Sequence, residues 1–149
     1  MASVAPMPPK PSTKPTSEEH RVRYTVYYED TDSLGVVYYA NYFKFMERGR
    51  SEFVAARTGR PVQEWNAAGF SLVVHKVEAT FRQGARLGDV VEVVSAFSVE
   101  SPYRGRFAQR LDRAGTGEVF VQGYVDVVCL DAATGTLIEL PAALRDLVP

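Results

Sequence analysis

Asp30 and Asp32 lie one residue apart in the run Glu29-Asp30-Thr31-Asp32, the densest acidic stretch of the chain. Carboxylates so placed can bind a cation, act as base or nucleophile, or serve as a solvated turn. A calcium loop of the EF-hand type fails on its spacing. Counted from Asp30, Asp32 and Gly35 fit, but Leu34 occupies a ligand position and Asn41 replaces the closing glutamate. A solvated acidic turn, or acids complementing the start of a following helix, stays open beside a catalytic role.

The other reactive side chains are few. Two histidines and one cysteine, Cys129, are present. That rules out an intramolecular disulfide and a cysteine-rich zinc site, and no metal or cofactor is expected. Cys129 in Val-Val-Cys-Leu reads as a buried core thiol. His75 among valines reads as a satisfied strand histidine. Ser51 lies mid-helix and lacks the second glycine of a nucleophile elbow. Glu47 and Glu52 sit on the same helix. Glu47 is a reserve acid or a partner for Arg50, three residues on. Arg104, Arg106 and Arg110 alternate along one strand face, and Arg82 and Arg86 flank a turn. Each serves equally as a solvated face or as an anion-docking group.

These residues need elements to hold them. Arg21–Tyr28 alternates with period two, placing Val22, Tyr24, Val26 and Tyr28 on one face of a strand. Ala40–Arg57 changes period: Tyr42, Phe45, Met46, Gly49 and Phe53 form one helical stripe. Gly49 inside that stripe costs about 1 kcal/mol relative to Ala. Close approach of the helix to a sheet would justify it. Thr58-Gly59 fits the helix end, and Pro61–Ala68 a short second helix. Strands are expected at Phe70–Arg82, Val90–Val99, Tyr103–Arg113, Glu118–Leu130 and Leu137–Leu140, followed by a closing helical turn. The order predicts an α+β domain, an antiparallel sheet of five to six strands wrapped around one long helix.

The chain has 149 residues, enough for one domain. Its 17 basic and 18 acidic residues leave a charge of −1, which argues against nucleic acid as a partner. The first twenty residues carry five of the nine prolines and no apolar core of a signal peptide. They read as a mobile tail, residues 1–20, ahead of a domain at 21–149. No apolar run is long enough to span a membrane, so a cytoplasmic location is expected.

The run EDTDSLGVVYYANYFKFMERGRSEF, together with the long strand Phe70–Arg82 and the ending TGTLIELPAALRDL, resembles the hotdog-fold acyl-CoA thioesterases. The likeness is to the 4-hydroxybenzoyl-CoA thioesterase and YbgC-like branch. It covers about residues 21–146 and is most specific over residues 28–53. The resemblance implies hydrolysis of an acyl-CoA or acyl-carrier-protein thioester without a cofactor. It makes Asp32 the catalytic acid and Tyr39 the residue whose backbone N–H faces the thioester carbonyl. YbgC-like members usually carry His at that position, and the 4-hydroxybenzoyl type carries Tyr. A polyketide-associated branch replaces the acid by Asn, whereas this chain keeps Asp32. Tyr28, Tyr38, Asn41 and Glu47 are the remaining candidates around the acyl group, and Arg104 and Arg106 around the nucleotide. The resemblance also implies a homodimer or homotetramer with the acyl pocket between subunits.

The chemistry is self-consistent. An Asp is ionised at neutral pH and can attack the carbonyl or activate water. A helix N-terminus offers donors to the developing oxyanion. The rival readings are a non-catalytic acyl-CoA or carrier-protein binding module and a hotdog dehydratase or hydratase. The second wants a His where Tyr39 stands.

Overall fold

The computed structural model describes residues 14–149. Strand β1 (His20–Thr25) is followed by a single 3-10 turn at Tyr28–Asp30. Helix α1 (Asn41–Thr58) comes next, and then the short helix α2 (Val62–Ala67). Strands β2 (Phe70–Phe81), β3 (Val90–Ser101), β4 (Arg104–Arg113), β5 (Val119–Asp131) and β6 (Leu137–Ile138) follow, and α3 (Ala142–Arg145) closes the chain. The sheet is antiparallel, in the order β1-β3-β4-β5-β2, with β6 beside β5. Helix α1 packs on β1, β3 and β4. This is the expected hotdog arrangement of one sheet around one helix.

Alternation creates the core. Val93 and Phe97 of β3, Phe107 and Leu111 of β4, and Val125 and Val127 of β5 point inward to meet Phe45, Met46 and Phe53 of α1. The rings of Phe53, Phe97 and Phe107 contact one another. Helix α1 ends where Gly59 turns into the left-handed region at φ 73° and returns its N–H to Ala55. Glycine takes that conformation without the Cβ penalty.

Gly49 has the expected reason. A Cβ there would run into the side chain of Val93 on β3. Gly49→Ala is therefore expected to destabilise the fold by about 1–3 kcal/mol, the usual cost of overpacking. Urea unfolding would read this as a lower midpoint at an unchanged slope.

Two boundaries need correcting. The first strand stops at Thr25, three residues before the alternation does. Val26 is still buried, but Tyr28 lies in the 3-10 turn with 83% of its surface exposed. It is not a core residue. The expected tail also reaches too far. Residues 1–13 lie outside the described residues, but His20 opens β1 and Ser17 is buried against β3. Ser17 donates its N–H to the Phe97 carbonyl at 2.7 Å, and its Oγ accepts the Phe97 N–H at 2.9 Å.

Candidate active site

The segment from Asp30 to Tyr38 folds back on itself. Tyr38 N–H donates to the Asp30 carbonyl at 3.0 Å, and Asp32 N–H to the Val36 carbonyl at 2.9 Å. Thr31 and Val37 face each other between them. Residues 33–35 form the tip, where Gly35 takes φ 77° and donates to the Asp32 carbonyl at 3.0 Å. The Val37 N–H donates to the Ala85 carbonyl at 2.8 Å, and the Ala85 N–H to the Tyr42 hydroxyl at 2.9 Å. These bonds fasten the hairpin and the helix start to the loop before β3. Burial pushes the Tyr42 hydroxyl pKa upward, which keeps it protonated.

The two acids do different work. Asp30 is buried, and its Oδ2 accepts the Tyr27 N–H at 2.9 Å. Its carbonyl also takes the Asn41 side-chain amide at 3.0 Å. Asp30 and Asn41 thus brace the loop against the first turn of α1. Asp32 is half-buried. Its Oδ1 accepts the Leu34 N–H at 2.8 Å, and its Oδ2 has no hydrogen-bond partner among the described residues.

The opposite arm leads into α1. Asn41, Tyr42 and Phe43 donate their N–H groups to the carbonyls of Tyr38, Tyr39 and Ala40 at 2.8, 3.3 and 3.3 Å. The N–H groups of Tyr39 and Ala40 donate to no acceptor among the described residues. Because Ala40 is the cap, Tyr39 lies just ahead of the helix. Free donors at the positive end of a helix dipole suit an anionic oxygen. An 18-residue helix supplies that dipole here.

Around this point lies an exposed aromatic group. Tyr38 and Tyr39 contact each other at 5.0 Å, and Tyr39, Tyr42 and Phe43 each meet Phe81, the last residue of β2. Tyr39 is 58% exposed and Tyr38 and Phe81 nearly half. Phe81 was missed as a site residue. Its signal was an aromatic at the end of a long strand, and only the sheet brings it to the helix start.

The other candidates are scattered. Glu47 is exposed and accepts the Ser51 hydroxyl at 2.8 Å, so it does not form the expected pair with Arg50. His75 lies at a bulge between Val74 and Lys76 and is exposed, contrary to its reading as a satisfied strand histidine. Cys129 is buried, and burial raises its thiol pKa. Arg104, Arg106 and Arg110 share the outer face of β4, but two of them already have partners. Arg106 forms a two-pronged bond with Asp126 at 2.6 and 3.0 Å and lies over the Tyr124 ring. Arg110 reaches Asp112 and Glu19. Among the described residues Arg104 makes no ion pair, and its Nε is buried without a hydrogen-bond partner. No group of three metal-binding side chains occurs among the described residues. No helix there is long and apolar enough to cross a membrane.

Known proteins resemble this chain in sequence and in fold. The model of the thioesterase-like superfamily matches residues 26–148. The acyl-CoA thioesterase YbgC of Helicobacter pylori is 46% identical over 72 residues, 48% of this chain and 51% of its own. The chain thus spans about half the length of that relative. The acyl-CoA thioester hydrolase YbgC of Escherichia coli is 35% identical over 106 residues, 71% of this chain and 78% of its own. The 1,4-dihydroxy-2-naphthoyl-CoA thioesterase of Synechocystis superposes with a TM-score of 0.80 over 87% of this chain and 95% of its own. At 18% identity, that likeness speaks for the fold. A family match that begins at the buried Val26, just ahead of the Asp30–Tyr38 hairpin, and runs nearly to the end of the chain places it in the thioesterase-like superfamily, in the YbgC-like branch.

Proposed function

We propose that the chain hydrolyses acyl-CoA thioesters. Water adds to the thioester carbonyl, the C–S bond breaks, and a carboxylic acid and a protonated thiol leave. Asp32 either activates the water as a base or attacks the carbonyl to give an anhydride that water then opens. The Tyr39 N–H receives the oxyanion, and the Ala40 N–H lies next to it. The observation that carries this reading is the hairpin itself. Among the described residues, one arm bears a carboxylate with a free oxygen, and the other ends in free N–H groups at the start of a long helix. Such donors are typically worth about 10²–10³ in rate.

Tyr38, Tyr39 and Phe81 would flank the acyl group. Arg104, the member of the arginine row without an ion pair, is the group left to meet the phosphates of the carrier. The carrier is coenzyme A, as in the names of the relatives; an acyl-carrier protein would present the same phosphorylated arm. The edge strand β2 supports a homodimer or a pair of dimers. Among the described residues it hydrogen-bonds only to β5, and Val73, Val74 and Val77 stand exposed on it.

Thiol release from a panel of aryl-, short- and medium-chain acyl-CoAs tests the reading. At least one should be hydrolysed well above its spontaneous rate. A panel in which none is hydrolysed would overturn it.

A further inference from the structure

Asp32 and the free N–H of Tyr39 belong to opposite arms of the hairpin, and the proposed chemistry needs them at a fixed separation. The hairpin does not set that separation alone. Thr31 faces Val37 across it, and Val36 faces Arg86 on the other side. Residues 84–86, in the loop between β2 and β3, thus lie along its second arm. Ala85 is the centre of this contact. Its carbonyl accepts the Val37 N–H at 2.8 Å, and its N–H donates to the Tyr42 hydroxyl at 2.9 Å. One fully buried residue therefore ties the hairpin on one side and the first turn of α1 on the other.

The helix holds this loop through one group. Among the described residues, the Tyr42 hydroxyl makes the single hydrogen bond between α1 and residues 82–89. The loop's remaining backbone bonds run to Val26, to Phe120 and within the loop itself. Tyr42 is buried, with its ring against Phe81. A hydroxyl so enclosed acts on the loop rather than on a substrate. The carboxylates of Asp89 and Asp32 lie close enough to reinforce the burial that keeps it protonated.

We propose that Tyr42 is a positioning residue, which through the Ala85 peptide sets the distance between the Asp32 carboxylate and the oxyanion donors at Tyr39 and Ala40. The inference rests on the thioesterase reading. Without the hydroxyl, the Ala85 N–H is a buried donor with no partner, and the loop shifts to find one. The hairpin moves with it through Val36 and Val37. A misplacement of about 1 Å is enough to cost about 10²-fold in rate.

Tyr42→Phe removes the hydroxyl and keeps the ring. It should lower kcat by about 10–100-fold and leave KM within about threefold of wild type. Ser17→Ala is the matched comparison. It too strands a buried backbone donor, the Phe97 N–H, but well along β3 from this loop. It should lose comparable stability and keep the wild-type kcat. A Tyr42→Phe enzyme whose kcat falls no further than that of Ser17→Ala overturns the inference. If Tyr42→Phe does not fold, Gly84→Ala decides. A Cβ there would lie 3.1 Å from Val36 Cγ1, pressing the hairpin away from the loop without removing a hydrogen bond. A lower kcat at unchanged KM supports the inference, and a wild-type kcat overturns it. If wild type hydrolyses no acyl-CoA, the thioesterase reading fails, and amide exchange tests the linkage by itself. The Val37 N–H should then exchange at least about tenfold faster in Tyr42→Phe than in Ser17→Ala. Equal rates overturn it.

Discussion

Asp32→Asn is expected to lower kcat/KM for the best acyl-CoA by at least about 10²-fold, the scale of a positioned acid or base. The melting temperature should hardly move. Asparagine keeps an oxygen to accept the Leu34 N–H, so the turn at the hairpin tip survives and only the carboxylate is lost. Asp32→Ala should lose activity to the same extent and some stability as well, because the turn then loses its acceptor. Asp30→Ala is the control. It removes the buried acceptor of the Tyr27 N–H, so it should act first on stability. Thiol release and thermal melts on the same preparations separate the two effects. Equal rates for wild type and Asp32→Asn would remove Asp32 from the chemistry.

Arg106→Met is expected to cost about 3 kcal/mol or more, because it strands a buried carboxylate. The Asp126 side chain is only 4% exposed. Burial acts to raise its pKa, and the bonds and charge of Arg106, aided by the charges of Arg104 and His75, outweigh this and hold it below the ordinary 3.8. The sign follows. In wild type the pair contributes stability above the unfolded carboxylate range, and that contribution fades as pH falls through the lowered folded value. In Arg106→Met the largest opposition to burial is gone, only the weaker pull of Arg104 and His75 remains, and the folded pKa rises. The penalty should then be largest at neutral pH and shrink in mild acid. Urea midpoints between pH 4 and 7, bounds set by ordinary carboxylate titration at about 4, would show the two slopes diverging. A variant as stable as wild type at neutral pH would contradict this.

The contrast between these two residues shows what could be read from residue order. Asp32 lies within a local signature, so the sequence singled out the acidic run as a turn-rich loop, while the nine-residue hairpin that folds it back shows only in the structure. The sheet and α1 were also legible, because each buries one face and so leaves a period of two or of 3.6. The first strand was overrun because Tyr28 continues the alternation after the backbone has turned away. The Arg106–Asp126 pair was hidden for a different reason. A bulge between Leu111 and Asp112 shifts the β4–β5 register by one. Counted from the hairpin end without it, Arg106 would face Val125 and the arginine row would look like free charge. The work of Tyr42 was hidden by distance. It reads as one more position of the helical stripe, and the backbone N–H that its hydroxyl accepts lies 43 residues on.

The strap at Ser17 bears on how copies of this chain could add to one another. By continuing along β3 beyond the end of β1, with Pro15 just ahead of the Thr16–Ser98 bridge, it encumbers one margin of the sheet. Arg21 and Arg23 on β1 add charge to that margin. The opposite margin, β2, is long and rich in valine. A sheet with two receptive margins grows head to tail without limit. A sheet with one can only meet its own image across a two-fold axis, and the growth ends there. The two margins of the sheet are thus unlike: a short charged β1 with a proline-led strap in line with it, and a long valine-rich β2.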